Sequence, residues 1–200
     1  MARINKYKFP KTTIERLSYY FRALDELSKR GIDTISSEAL GVKLNVKSSQ
    51  IRKDLSYFGD FGKRGMGYDV KYLTKELRYI LGLDREWPVI VMGAGHFGIA
   101  IAQYTMFKKH GFNIIALFDV SEERVGKDVD GIKILHLNEL EKFIGENNVE
   151  IAIIAVPPNA AQDVTNLLVD AGIKAILNFA PVSLKVEKDV RVLSVDLTTK

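Results

Sequence analysis

Apolar residues in the first eighty positions recur at helical spacing. Ile14, Leu17, Tyr20, Phe21, Leu24 and Leu27 form one stripe, the i, i+3, i+4 pattern of a helix with one buried face. Thr12 or Thr13 is placed to cap it, and Gly31 to end it. Ser36 or Ser37 predicts the cap of a short second helix, SEALGVKL. The turn Asn45-Val46-Lys47 leads to a third helix from Ser48. Short helices with so tight a connection are the pattern of a helix-turn-helix. SYFGDFGKRGMGYDV follows, with four glycines and flanking aromatics, and predicts a β-hairpin, a wing. Lys71–Leu81 predicts a closing helix.

After LGLDREWP (81–88) the pattern changes. Short runs of Val, Ile and Leu alternate with helical segments: strand 89–92, helix 97–109, strand 113–119, a less regular stretch to Leu137, helix 138–147, strand 150–156, helix 159–171, and strands 175–180 and 191–197. Nearly continuous apolar strands are buried on both faces, as in a parallel sheet covered by helices. The expected division is therefore 1–84 and 85–200.

Charge follows that division. The net +4 of the 200 residues splits into +7 over 1–84 and −3 over 85–200. A compact basic half is the electrostatic footprint of a nucleic-acid-binding module. On the third helix, Ile51, Leu55 and Phe58 fall in one sector and face the core. Ser49, Arg52, Lys53 and Ser56 point away, with Gln50 and Asp54 on a flank. Small polar and basic residues suit a major groove, where Lys and Arg reach guanine edges and Gln pairs with adenine. Lys47 and Ser48 enter that helix, and Lys63 and Arg64 sit at the wing tip between Gly62 and Gly65. These nine residues, Gln50 among them, are the candidate contacts to double-stranded DNA.

The strongest single motif is Gly93-Ala94-Gly95-His96-Phe97-Gly98. It follows a strand, opens a helix, and is followed by a second strand ending at Asp119, the full context of a dinucleotide fingerprint. Gly93 permits the tight turn, Gly95 lets a diphosphate approach the backbone, and Gly98 lets the helix pack on the strand. The helix N-terminus offers N–H groups to the diphosphate. Asp119 accepts from ribose hydroxyls and repels a 2′-phosphate, so NAD(H) is expected over NADP(H). Val156-Pro157-Pro158 and Asn178-Phe179-Ala180-Pro181 end strands where ligands of doubly wound sheets lie, and would wall a nicotinamide ring. A glycine turn without coenzyme, or one for coenzyme A, fits the motif too.

These segments together resemble the Rex family of redox-sensing repressors. TTIERLSYYFRALDEL (12–27), SSQIRKDLSYFGDFGKRGMGYDV (48–70), GAGHFGIAIAQY (93–104), FD (118–119), AVPPNAAQ (155–162), GIKAILNFAP (172–181) and VDL (195–197) carry the likeness. It implies a winged helix-turn-helix joined to a Rossmann-type doubly wound parallel sheet, a homodimer on a palindromic operator, and release from DNA by NADH, poorly by NAD⁺. It also implies switch positions at Arg16, Tyr104 and Asp196, whose polar pairing differs between the DNA-bound and NADH-bound states. The family continues past VDL into a helix exchanged between subunits, which is short or absent before Lys200 here.

An NAD-dependent dehydrogenase is the main rival reading. It needs an acid or base beside the nicotinamide, and only His96, His110 and His136 are candidates among histidines, none with an evident carboxylate partner in sequence. A nucleotide-binding interaction module is the second rival. The absence of cysteine excludes disulfides and thiolate metal sites and fits a cytoplasmic protein. No apolar run approaches a membrane span, the first residues lack the apolar core of a secretory signal, and no metal is expected.

Overall fold

The computed structural model describes residues 10–63, 65–186 and 189–196. The chain divides into two compact units, residues 1–84 and 85–200.

In the first unit α1 (Lys11–Lys29), α2 (Ser37–Leu44), α3 (Ser48–Ser56) and α4 (Val70–Ile80) enclose one core. Leu17, Tyr20, Leu24, Leu40, Ile51, Leu73 and Leu77 are fully buried there. Ser36 caps α2 by accepting from the Ala39 N–H at 3.0 Å, and Asp69 caps α4 through the Tyr72 N–H at 2.8 Å. α1 has no such cap. It starts at Lys11 behind Pro10, and Thr13, expected as a cap, is buried inside the first turn with its hydroxyl on Asp54. The α2–α3 turn is tight: Asn45 is left-handed, and a Cβ on Gly41 would lie 2.5 Å from the Val46 carbonyl oxygen. β1 (Thr34–Ile35), β2 (Gly62–Lys63) and β3 (Gly67–Asp69) form an antiparallel sheet in the order β1-β3-β2. The hairpin is the predicted wing; β1, only two residues long, was not visible in the pattern.

The second unit is a seven-stranded sheet in the order β10-β9-β8-β4-β5-β7-β6. Its strands are β4 (Trp87–Met92), β5 (Phe112–Asp119), β6 (Asp128–Val129), β7 (Ile132–His136), β8 (Ile151–Ile154), β9 (Ala175–Asn178) and β10 (Arg191–Ser194). All pairs are parallel except β6–β7. Chain order reverses between β4 and β8, the switch point of a Rossmann-type sheet. α5 (His96–Gln103), α6 (Met106–Lys109), α7 (Leu140–Asn147) and α8 (Pro158–Asp170) accompany it. Separate apolar clusters pack on the two faces, one around Ile90, Phe118 and Ile154, the other around Val91, Leu117 and Ile153.

Two expectations are corrected here. The helix drawn from 97 to 109 is two, broken where Tyr104 turns extended. The irregular stretch before Leu137 contains the β6–β7 hairpin, with Asp130 and Gly131 both at positive φ. Asp-Gly between apolar residues is the signature of a two-residue turn, and Val129-Asp130-Gly131-Ile132 carried it. Among the described residues no helix is long and apolar enough to cross a membrane.

Candidate DNA-reading face and dinucleotide crevice

α3 buries Ile51 and Leu55 and exposes Ser49, Arg52, Lys53 and Ser56, as its periodicity requires. Lys47 is exposed at its entrance and Ser48 half-buried. Arg52 is held in place: its Nη1 donates to Ser37 Oγ at 2.6 Å and to Glu38 Oε1 at 2.9 Å. It lines an open depression of about 540 Å³ together with Ser56, Gly62 and Met66, between α2, α3 and the wing. Arg64 and the Lys63 side chain lie outside the described residues.

Asp54 and Gln50 depart from their expected places. Asp54 is fully buried. It accepts from Arg16 Nε at 2.6 Å and Nη2 at 2.7 Å, from the Tyr20 hydroxyl at 2.8 Å, from Gln50 Nε2 at 2.9 Å and from Thr13 at 3.2 Å. Burial alone would push its carboxyl up, but hydrogen bonds from Arg16, Tyr20 and Gln50 hold it below the ordinary 3.8. The same knot pushes the Tyr20 hydroxyl up, by burial and then by its bond to Asp54. Gln50 is thus turned inward rather than toward an adenine edge, and Arg16 is anchored to α3 itself. Helical spacing within α3 cannot reveal partners 34 to 41 residues away in sequence.

In the second unit the glycine loop lies at the end of β4, beside the switch point. Gly93 has φ +99, and a Cβ there would stand 2.7 Å from the Ala155 carbonyl oxygen. A Cβ on Gly98 would collide with the Gly93 carbonyl oxygen, whereas one on Gly95 would meet nothing within 4 Å. So Gly93 and Gly98 shape the loop, and Gly95 faces open space. Ala94 is buried and His96 exposed. α5 begins at His96, so its first-turn N–H groups, which lack partners within a helix, are presented at the loop.

Asp119 ends β5 against that loop. Its Oδ2 accepts the Ala94 N–H at 2.7 Å and Arg124 Nη1 at 3.2 Å; its Oδ1 accepts the Val120 and Ser121 N–H groups at 2.8 and 2.9 Å. Burial raises its pKa, but the N–H groups of Ser121 and Ala94 and then Arg124 outweigh that and hold it below 3.8. The two apolar loops meet the glycine loop. Val156 packs by Gly93, and Phe179 stands edge-on to Phe97 with centroids 5.2 Å apart. Pro157 and Pro181 are exposed, and Pro158 opens α8. Asn178 is corrected: it is fully buried, its amide bonding the Ala180 and Val182 carbonyls and its oxygen taking the Ala180 N–H, so it holds the loop and Ala180 rather than facing a ligand. The geometry fits a dinucleotide: open space at Gly95, a helix start, an ionised carboxylate hydrogen-bonded to the glycine loop, and an apolar wall.

Tyr104 is exposed at the α5–α6 break, edge-on to Phe107, and Asp196 is exposed just beyond β10. Sequence reasoning missed Thr13, Tyr20 and Glu38 as partners in the DNA-reading unit, and Arg124 as the partner of Asp119.

Known proteins agree with both halves. Residues 8–56 match the model of a putative DNA-binding protein N-terminus, and 84–182 that of a CoA binding domain. The redox-sensing transcriptional repressor Rex 1 of Thermotoga maritima is 48% identical over 96% of this chain and 91% of its own length. The Rex repressor of Syntrophomonas wolfei subsp. wolfei is 49% identical over the same shares. The structure of RSP in complex with β-NAD⁺ and operator DNA aligns at a TM-score of 0.93, with 42% identity over 96% of this chain and 89% of that one; RSP with β-NADH aligns at 0.88, with 41% identity over 96% and 90%. The chain belongs to the Rex family of redox-sensing transcriptional repressors.

Proposed function

We propose that this chain is a repressor that grips operator DNA as a homodimer and lets go when NADH fills the crevice at the end of β4. The observation that carries the reading is the pairing, in one polypeptide, of an exposed Arg52–Lys53 helix face beside a wing with a glycine loop whose Gly95 opens on free space. The RSP repressor, seen with β-NAD⁺ and operator DNA and with β-NADH, supports it.

The residues divide the work. Gly95 and the start of α5 would hold the diphosphate, Asp119 the adenosine ribose, and Phe97, Val156 and Phe179 the nicotinamide side. NADH brings a neutral dihydropyridine ring where NAD⁺ brings a cation. An apolar wall without a counter-charge disfavours the cation, so closure around the ring favours the reduced form. Two heads reading a palindrome must match successive major grooves, and a closed dimer no longer does. The reading is of a sensor rather than an enzyme: His136 accepts the Asn138 N–H as a cap, and His110 ends α6.

Operator release should rise with NADH at fixed NAD⁺. By linkage, saturating operator must weaken NADH binding by the same factor. Fluorescence anisotropy of a labelled operator measures the first, and calorimetric titration of NADH with and without duplex the second. Retention of the duplex whichever coenzyme is supplied would end the reading.

A further inference from the structure

The Asp119 carboxylate is fully engaged. An ionised carboxylate offers about four acceptor sites, and four donors take them: the N–H groups of Ala94, Val120 and Ser121, and the Arg124 guanidinium. The first three belong to the glycine loop and the turn after β5. They lie within 2.7–2.9 Å, and removing them would dismantle the loop. Arg124 differs in each respect. It is a side chain, it is half-exposed, and at 3.2 Å its bond is the longest of the four.

A ribose hydroxyl that donates to this carboxylate must therefore take the place of one donor, and only Arg124 can yield at small cost. We propose that Arg124 is a built-in competitor for the ribose site: its guanidinium holds Asp119 until the coenzyme displaces it, and so sets how much nucleotide is needed to fill the crevice. This rests on the reading of Asp119 as the ribose acceptor. Displacement gives the site two properties that a free carboxylate lacks. Its affinity is lower than its contacts with nucleotide would allow, and part of the cost is an exposed ion pair, which salt screens.

Calorimetric titration of the full chain with NADH tests this in wild type, Arg124→Met and Arg124→Gln. Both variants should bind NADH more tightly, by about two- to fivefold at low salt, the worth of an exposed guanidinium–carboxylate pair. The gap to wild type should narrow in about 0.5 M salt, where that pair is screened. Equal or weaker binding by both variants overturns the proposal, as does a gain that salt leaves unchanged. Asp119→Ala, read as the ratio of NADH to NADPH affinity, tests the underlying reading separately. An unchanged ratio removes the ribose assignment and this inference with it; an eroded ratio without a gain in the Arg124 variants removes the inference alone.

Discussion

Asp54 and Asp119 are both carboxylates held below their ordinary pKa with every oxygen engaged, yet they are built oppositely. All partners of Asp54 are side chains, drawn from α1 and α3. Three partners of Asp119 are backbone N–H groups, and one is a half-exposed side chain. The first is a knot: it joins two helices and has no route to a ligand. The second is a socket cut by the fold, with one replaceable occupant. Similar titration behaviour thus covers a residue that fixes structure and one placed to meet a ligand, and the type of donor tells them apart.

The contrast predicts unequal mutants. Asp54→Ala leaves the Arg16 guanidinium and the buried Tyr20 hydroxyl without their acceptor and should cost about 3 kcal/mol of unfolding free energy, measured by denaturant titration. Asp119→Ala should cost less, about 1–2 kcal/mol, since Val120 is exposed and only Ala94 among its N–H partners is buried; equal losses would erase the distinction. Gly95→Ala should lower NADH affinity about tenfold or more with an unchanged melting midpoint, since its Cβ meets only open space. Gly98→Ala should lower both, since its Cβ strikes the Gly93 carbonyl. Lys53→Ala should weaken operator binding about tenfold and leave NADH affinity intact, by gel shift and calorimetry. The smallest effect is expected of Glu38→Gln. Arg52 loses an anchor while a negative charge leaves the DNA face, so preference for operator over a scrambled duplex should fall about threefold or less.

Acid sharpens the same comparison. A carboxyl whose folded pKa is depressed stabilises fully above its unfolded value, here the ordinary 3.8, and loses that contribution as pH falls through the lower folded value. Wild-type stability should therefore drop below about pH 4, and Asp54→Ala should flatten that limb of the profile. An equally steep limb in the variant would assign the acid sensitivity elsewhere.

Most of the fold was legible because its signals are local. The glycine loop, the strand before it and Asp119 fall within about thirty residues, and each motif glycine has its own steric job. The helix-turn-helix was legible from the Ser36 cap and the buried stripe of α3. The Asp54 knot was not, because it depends on α1 packing across α3, and a helical wheel sees one helix. It placed Asp54 on a flank and Gln50 toward DNA, when long-range partners draw both inward. Thr13 looked like a cap for the same reason. The break at Tyr104 was hidden by apolar residues that keep helical spacing through Phe107, and Asn178 looked like a lining residue because its loop, not its side chain, faces the crevice.

The α2–α3 turn has a mechanical consequence. Gly41 lies against the Val46 carbonyl, leaving no room for even a methyl group, and in the last turn of α3 Asp54 is tied to α1. A rod clamped at its root and near its far end resists torsion, so retuning how one head reads bases is the expensive route. In the proposed dimer, coenzyme would then have one inexpensive variable, the separation between two rigid heads. A duplex carrying a single half-site should on this account be held with equal strength whether or not NADH is present.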